Sequence, residues 1–505
     1  MYFHMITFYS NMKTRLLYFG LLLMLLSSCI DKDVYQGEEE IEEETDNGNG
    51  MEYSRYLYPY GDEVQNVVAE ITIETDREIV PGSIAAEIPP LKYNKSWLFM
   101  LTQDDCKHDS YSTTWAAING KPLSMFYYYH AEHLAAGDLP PDVVQLPKKS
   151  KEGSGTLGST NGTGQEVRFA FTATIMPEEE WMDKEAVVQK GVTENNYRFY
   201  AHTGLTWNNL SEMLLYGTGI AFHDVKTEAV NNEDSILKHY ELSQQIVLDK
   251  LDGRGCKTLA EPNGNKTYVR AALDYAPIQI MTAQGAGASD PELVHLQPFK
   301  VNSDLHERLI QRYIYESPFD IITPIETELR KDEEERYAIH VGIHGTGYTF
   351  AQFLLWLNNE YGKDGDDSVW FPSLEEYYEY AYYRSHGTIE QEVEGNRITL
   401  KISLPSEQYF YYPSITLNLS GIKEAQVKSI TSGDEVTGLS YGNHADGLML
   451  NIDCRRFLVE HAEHFVDKYL ESPTESNKRD AVYFVKKLKE SPVKEELSKK
   501  IPGYK

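Results

Sequence analysis

The segment Ser96-Trp-Leu-Phe-Met-Leu-Thr-Gln-Asp-Asp-Cys106 decides how the rest of the chain is interpreted. Its uninterrupted apolar run, Trp97 to Leu101, is typical of a strand that is buried on both faces, as in a parallel sheet. Two adjacent carboxylates, Asp104 and Asp105, follow the run. Because active sites of α/β folds lie at the carboxyl ends of such strands, these acids are candidates for catalysis. The alternative is a polar strand end or a helix cap.

The first thirty residues have the pattern of a targeting signal. Lys13 and Arg15 precede an apolar run from Leu16 to Leu26, and Leu-Ser-Ser-Cys29 ends the pattern. This arrangement predicts a signal peptide over residues 1–29, and the run is short for a membrane-spanning helix. The final four residues resemble a bacterial lipobox, which implies cleavage before Cys29 and lipidation of its thiol. An ordinary secretory signal is the alternative. We expect a lipoprotein of the bacterial cell envelope, anchored to the outer membrane, with the periplasmic or surface face left open.

Charge and cysteine content narrow the class of protein further. The net charge is −31 over 505 residues, which disfavours nucleic acid as a partner because both would be negative. Residues 30–50 are mostly acids with Gly and Asn, which predicts an extended tether. With Cys29 lipidated, three of the four cysteines remain, so no disulfide framework is implied.

Three later segments also place polar residues after short apolar runs. His223-Asp224 follows Gly-Ile-Ala-Phe, and Pro262-Asn263-Gly264 follows a predicted strand, although a plain turn explains the latter equally well. In Tyr337-Ala-Ile-His340-Val-Gly-Ile-His344 two histidines share one strand face. We expect His340 to be buried and His344 to lie at the strand end.

Taken in order, these segments resemble the motifs of the polysaccharide deacetylase family over roughly Tyr93 to His386. Leu-Thr-Gln-Asp-Asp-Cys106 is similar to Thr-Phe-Asp-Asp-Gly, and His223 fits the first histidine of His-Ser/Thr-x-x-His. The segment ending in Pro262-Asn-Gly264 is similar to Arg-x-Pro-x-Gly, and His344 to the histidine of Leu-x-x-His. The resemblance implies an α/β fold with a distorted (β/α) barrel over residues 93–386.

The resemblance also implies roles for individual side chains. They are Asp104 as base and His344 as acid, Asp105 and His223 as ligands of a divalent metal, expected to be zinc, and Pro262, Asn263 and Gly264 in the substrate groove. Asp224 stands at the Ser/Thr place of the motif, and its carboxylate is the candidate for a third metal ligand. The chain departs from the family pattern at three places. Thr227 stands where the second histidine is expected, Ala260 replaces the arginine that orients the base, and Cys106 replaces glycine.

The flanking regions predict additional units. Residues 51–92 contain one alternating strand, Ala69 to Thr75, and form a small β element. Residues 387–455 alternate cleanly between turn residues, which predicts an antiparallel β domain, and residues 456–505 read as a helical tail. Two His-Ala-Glu-His segments, at His130 and at His461, are predicted on solvated helix faces because neither has the further ligands of a closed zinc site.

Three functions follow from these observations. The first is a metal-dependent hydrolase that resembles polysaccharide deacetylases and removes acetyl groups from a glycan at the cell envelope. The alternative is a non-catalytic surface glycan-binding lipoprotein that uses the same groove. A third is a surface structural or adhesion module in which the barrel is only a scaffold.

Overall fold

The computed structural model describes residues 66–124, 143–144, 146, 155–183, 204–285, 300–301, 309–315 and 317–504. The predicted signal peptide with Cys29, the tether and the segment beginning at His130 lie outside these residues. Within the described ranges, no helix is long and apolar enough to cross a membrane.

The strands and helices alternate over the central part of the chain. The strands are β1 Val67–Thr75, β2 Ala85–Glu87, β3 Trp97–Gln103, β4 Leu123–Ser124, β5 Val143–Val144, β6 Gly158–Thr160, β7 Glu166–Arg168, β8 Thr172–Ile175, β9 Gly219–Phe222, β10 Thr258–Ala260, β11 Ile280–Gln284, β12 Leu309–Ile314, β13 Ile339–Ile343, β14 Val369–Trp370, β15 Thr388–Glu394, β16 Arg397–Leu404, β17 Ser414–Ser420, β18 Val427–Ser432, β19 Gly438–His444 and β20 Gly447–Asp453. The helices are α1 Ala116–Ile118, which continues a π-helical turn Ser110–Trp115, then α2 Trp207–Leu215, α3 Glu233–Lys250, α4 Lys266–Leu273, α5 Ile322–Leu329, α6 Tyr348–Tyr361, α7 Leu374–His386, α8 Leu458–Glu471, α9 Glu475–Lys487 and α10 Pro492–Lys499.

Seven parallel strands close into a barrel in the order β3-β8-β9-β10-β11-β12-β13, and β13 pairs back with β3. This confirms the predicted distorted (β/α) barrel. The distortion lies beside β3, whose last residues pair with β8 while its first residues pair with β14. The short strand β14 therefore fills the opening where β3 and β8 separate at the amino-terminal end of the barrel.

The central strand β3 is buried along its whole length, as its apolar run predicts. The ring of Phe99 packs against Phe371 and Phe353, with ring centroids 4.7 and 6.1 Å apart. Full burial of one such side chain stabilises the fold by roughly 1.5–3 kcal/mol. Because side chains alternate along a strand, Thr102 and Asp104 point to the opposite side, into the barrel.

Two four-stranded antiparallel sheets form a sandwich next to the barrel, with strand orders β15-β16-β1-β18 and β19-β20-β17-β2. An antiparallel carboxyl-terminal β domain is thereby confirmed. Strands β1 and β2, from the predicted amino-terminal element, pair with β16 and β17. The two ends of the described chain therefore build one sandwich around a shared core.

Two local predictions were wrong. The sequence Val-Arg-Phe-Ala-Phe-Thr-Ala-Thr-Ile over residues 167–175 predicts a single strand, but this part of the chain belongs to β7 and β8, and Phe169 to Phe171 between them are buried. His461 was expected on a solvated helix face, but it is 4% exposed and packs against Phe465 and Phe484. The apolar positions of α8 face the barrel, and His461 lies among them.

A buried ion cluster joins the amino-terminal end of β10 to α7. Lys257 Nζ lies 2.7 Å from Glu379 Oε1 and 3.7 Å from Glu375 Oε1, while Arg254 Nη2 lies 2.6 Å from Glu375 Oε2. All four side chains are at most 2% exposed. Removing one partner of such a cluster leaves an uncompensated buried charge.

We therefore expect Lys257→Ala to lower the free energy of unfolding by about 3–5 kcal/mol, measured by urea denaturation. Lys499→Ala is the control, because its pair with Glu495 is exposed and should contribute little to stability. Equal losses in the two variants would contradict this account of the cluster.

Candidate active site

The mouth of the barrel brings together polar side chains from four separate strands. Asp104 N donates to Ile343 O at 2.8 Å, and Gln103 pairs with Ile343 in the β3–β13 register. The next residues along these two parallel strands, Asp104 and His344, are therefore neighbours at their carboxyl ends. His223 follows β9, and Arg312 belongs to β12.

Asp104 is held by Arg312 in a buried ion pair. Arg312 Nη1 lies 2.6 Å from Asp104 Oδ1, and the two side chains are 0% and 2% exposed. The guanidinium also donates to Thr102 Oγ1 at 2.8 Å and to the carbonyl oxygen of Glu261 at 2.6 Å. Three acceptors from two chain segments thus fix the arginine, and the arginine fixes the carboxylate.

Arg312 occupies the role that the resemblance assigns to an arginine at the place of Ala260. The sequence analysis missed it, because motif order directs attention to the segment before Pro262. A signal was present: Arg312 is a charged residue at the centre of a short strand-like stretch, Leu309–Ile314. The arginine that pairs with Asp104 therefore comes from β12 and not from β10.

Asp105 and His223 face each other beside this pair. His223 Nε2 lies 3.5 Å from Asp105 Oδ1, and its Nδ1 lies 2.8 Å from the carbonyl oxygen of Ala260. Since a carbonyl only accepts, Nδ1 carries a hydrogen. Nε2 is then either protonated towards Asp105 or free to bind a cation between the two side chains, an arrangement typical of metal-binding histidines.

The pKa values of this couple shift in opposite directions. The contact with His223 lowers the pKa of Asp105 well below its usual range. Burial alone would lower the pKa of His223, but the negative charge of Asp104 and the contact with Asp105 together raise it. Both pKa shifts result in part from the attraction between the Asp105 carboxylate and the protonated His223 imidazole.

Asp224 does not fit as the third ligand. Its Oδ1 accepts hydrogen bonds from the Tyr268 hydroxyl and from Val225 N, the latter at 2.9 Å. On the other side of Asp105, Lys107 Nζ lies 3.3 Å from Oδ2. Among the described residues, no group of three His, Cys, Asp or Glu side chains could hold a metal ion. Two of the three predicted ligands therefore fit a metal.

The two histidines of β13 differ as expected in their surroundings. His340 is buried and its Nδ1 lies 3.5 Å from Thr282 Oγ1, below the mouth. Burial, aided by the charge of Arg312, lowers the pKa of His340 to about 3, so this side chain stays neutral. His344 is exposed at the end of the strand, where a substrate can reach it.

A buried polar network supports the turn that follows His344. Asp109 Oδ2 accepts from Thr346 N at 2.7 Å, and Asp109 Oδ1 accepts from Gln103 Nε2 at 2.7 Å. Thr114 Oγ1 donates to Gln103 Oε1 at 2.7 Å. The network ties the turn after β13 to the end of β3 and to the π-helical turn.

The backbone directly after Asp104 is left-handed. Asp105 and Cys106 have φ values of 62° and 49°, a region that non-glycine residues seldom adopt. Cys106 N donates to Thr174 Oγ1 at 3.1 Å, and its carbonyl accepts from Leu205 N at 2.8 Å. The family motif has glycine at this place, and here two hydrogen bonds hold cysteine in the same turn.

The segment predicted to line the substrate groove is a tight turn after β10. Asn263 and Gly264 have φ values of 53° and 69°, and Asn265 N donates to Pro262 O at 2.9 Å. The preceding Glu261 is buried, bonded to Lys266 and to Gln284 N. The turn lies at the same end of the barrel as Asp104, and its contact with substrate stays a prediction.

A comparison with protein families supports this interpretation. The family model described as "Putative polysaccharide deacetylase" matches residues 69–502. The chain belongs to this family. The match extends beyond the predicted 93–386 and includes the sandwich and nearly all of the helical tail. Among curated proteins, none matches the sequence.

The polar network beside this site includes Asp109, whose charge should follow pH. Burial raises the pKa of Asp109 from 3.8 to about 6. Between these values the unfolded chain has lost the proton that the folded state retains, so stability should fall as pH rises from about 4 to about 6. Each unit of pKa corresponds to about 1.4 kcal/mol.

We expect the difference in free energy of unfolding between the wild type and Asp109→Asn to shift in this pH window and to be constant above pH 7. Urea denaturation at several pH values measures it. A difference that does not change with pH would show that Asp109 titrates normally.

Proposed function

We propose that this chain is a hydrolase that removes acetyl groups from the nitrogen or oxygen of a glycan. The observation that carries the proposal is the buried Asp104–Arg312 pair at the barrel mouth. It supplies a carboxylate that is fixed in orientation and lies at the end of the strand next to the one that His344 follows. Membership of the polysaccharide deacetylase family supports the same reaction class.

Asp104 serves as the general base in this proposal. Arg312 binds its Oδ1, and no described residue bonds its Oδ2. That oxygen takes the proton of the water molecule that attacks the acetyl carbonyl. Because Arg312 is fixed by Thr102 and Glu261, the carboxylate stays in place as its charge changes.

His344 serves as the general acid in this proposal. Its position beside Asp104 at the end of β13 allows it to protonate the departing amine or hydroxyl of the sugar. The Asp109 network holds the turn that follows it through Thr346. Base and acid thus act from neighbouring strands.

We propose a divalent metal, with zinc the expected ion, bound by Asp105 and His223. Such an ion acidifies water and stabilises negative charge on the acetyl oxygen. Catalytic zinc sites commonly have three protein ligands, and the residues that the structure describes offer two here. Lys107 also competes for Asp105, so binding should be weaker than at a three-ligand site.

Cellular location is a further part of the proposal. The pattern before Cys29 supports lipid anchoring to the outer membrane of a bacterial envelope. The acidic residues 30–50 would act as a tether between the anchor and the folded body. The glycan is then one that is accessible from the envelope.

A non-catalytic glycan-binding lipoprotein is the second candidate. It is favoured by the Lys107–Asp105 contact and by the engagement of Asp224 with Tyr268. Both contacts engage carboxylate oxygens that a metal ion would otherwise bind.

We expect Asp104→Asn to lower kcat/KM for acetate release by about 10²–10⁴-fold, because the base is lost. Acetate is measured after incubation with a panel of N-acetylated and O-acetylated oligosaccharides. Asp446→Asn, at a fully exposed side chain in the sandwich, is the matched control and should retain activity. A wild type that binds these glycans but releases no acetate would favour the binding module.

We expect Lys107→Met to raise zinc affinity by up to about fivefold, since a half-exposed ion pair contributes at most about 1 kcal/mol. Asp105→Asn should abolish binding. Isothermal titration with zinc measures both, and Lys226→Met is the control because this exposed lysine pairs with Glu179. If the zinc affinity is the same in the wild type and in all variants, Asp105 does not bind zinc.

A further inference from the structure

A cavity lies at the end of the barrel opposite the proposed active site. Its lining includes Lys92, which precedes β3, and Gly217, which precedes β9, together with residues of the sandwich and of α9. Its volume is about 110 Å³, which is room for several water molecules or one small oxyanion. Four cationic side chains line it, Lys92, Arg168, Arg455 and Lys487.

Two of these cations have carboxylate partners that satisfy them. Lys92 Nζ lies 2.8 Å from Glu376 Oε1 and also donates to Ser414 Oγ at 2.7 Å. Arg455 Nη2 lies 2.6 Å from Asp453 Oδ2, and its Nε contacts both oxygens of Asp453 at 3.0 Å.

Arg168 retains unused donors, whereas Lys487 lacks a close carboxylate. Arg168 Nη1 lies 2.7 Å from Asp480 Oδ1 and its Nε lies 3.9 Å from Glu166 Oε2, but the buried Nε and Nη2 have no hydrogen-bond acceptor among the described residues. Lys487 has no carboxylate of the described chain within 4 Å. Its Nζ instead lies 4.3 Å from the ring centroid of Tyr483, and the Arg168 guanidinium lies 4.1 Å from the same ring.

The positive charge of Lys487 is therefore not compensated by a close carboxylate of the described residues. Burial, together with the nearby charge of Arg455, lowers the pKa of its amine to about 7, although Asp453 and Glu376 act in the opposite direction. A buried donor without an acceptor destabilises the folded state. An anion in the cavity would accept hydrogen bonds from the unused donors of Arg168 and would compensate the charge of Lys487.

We propose that this cavity binds a small oxyanion, a phosphate or a carboxylate, between Arg168 and Lys487. Arginine recognises the oxygens of such anions through paired N–H donors, and lysine contributes a point charge. The anion would contact the β6–β7 hairpin, which leads into the barrel strand β8, through Arg168 and the tail through Lys487. It would therefore stabilise the packing of these units.

Thermal unfolding with inorganic phosphate, sodium acetate or sodium chloride at equal ionic strength tests this proposal. We expect the Tm to rise with phosphate or acetate beyond the effect of chloride, as for any ligand that binds only the folded state. Whichever anion acts at the lower concentration identifies the chemical class. Isothermal titration of the wild type gives the Kd.

Lys487→Met should weaken the anion at least tenfold. Because Lys487 has no described carboxylate partner, the variant leaves no unpaired acid and should fold, which circular dichroism checks. Lys486→Met, at the neighbouring residue, is the matched control and should keep the wild-type response. The proposal is overturned if neither anion exceeds chloride, or if Lys487→Met responds as the wild type does.

Discussion

The hydrogen bonds between β3 and β13 close the barrel, and the arrangement of the mouth depends on them. Their register places Gln103 beside Ile343, so that Asp104 and His344 come next to each other on adjacent strands. A shift of one residue would turn Asp104 outwards, because side chains alternate along a strand. The burial of Phe99 and Leu101 on the outer face and of Thr102 within the barrel makes such a shift costly.

The closed barrel also explains which strands could be predicted from the sequence. The apolar run of β3 identifies a buried parallel strand, because both faces of this strand are buried and every position of the run is therefore apolar. The acids that follow the run mark the end of the strand. The clean alternation of β1 and β16 predicts two half-buried strands. Their pairing with each other could not be predicted, since strand periodicity gives no partner and the whole barrel separates the two strands along the chain.

Site residues that directly follow a predicted strand could be identified from the sequence. Their contact partners from distant parts of the chain could not. Asp105 and His223 lie together, as the motifs suggest. Asp224 stands next to His223 in sequence, but Tyr268 of α4 engages it, and nothing near Asp224 indicates that contact. Arg312 reaches Asp104 from another strand, and only the closed barrel brings the two together.

Energetics favour a catalytic role for this mouth over glycan binding alone. A buried ion pair such as Asp104–Arg312 gains little net stability, because desolvation of both charges offsets their attraction, and apolar replacements are often neutral or stabilising. The left-handed backbone at Asp105 is a second local cost, and such costs cluster at functional sites. A groove that only binds sugar needs neither a fixed carboxylate nor this turn, whereas a base beside an acid needs both. The fold carries these costs at the point where Asp104 meets His344, which is where hydrolysis of an acetyl group would occur.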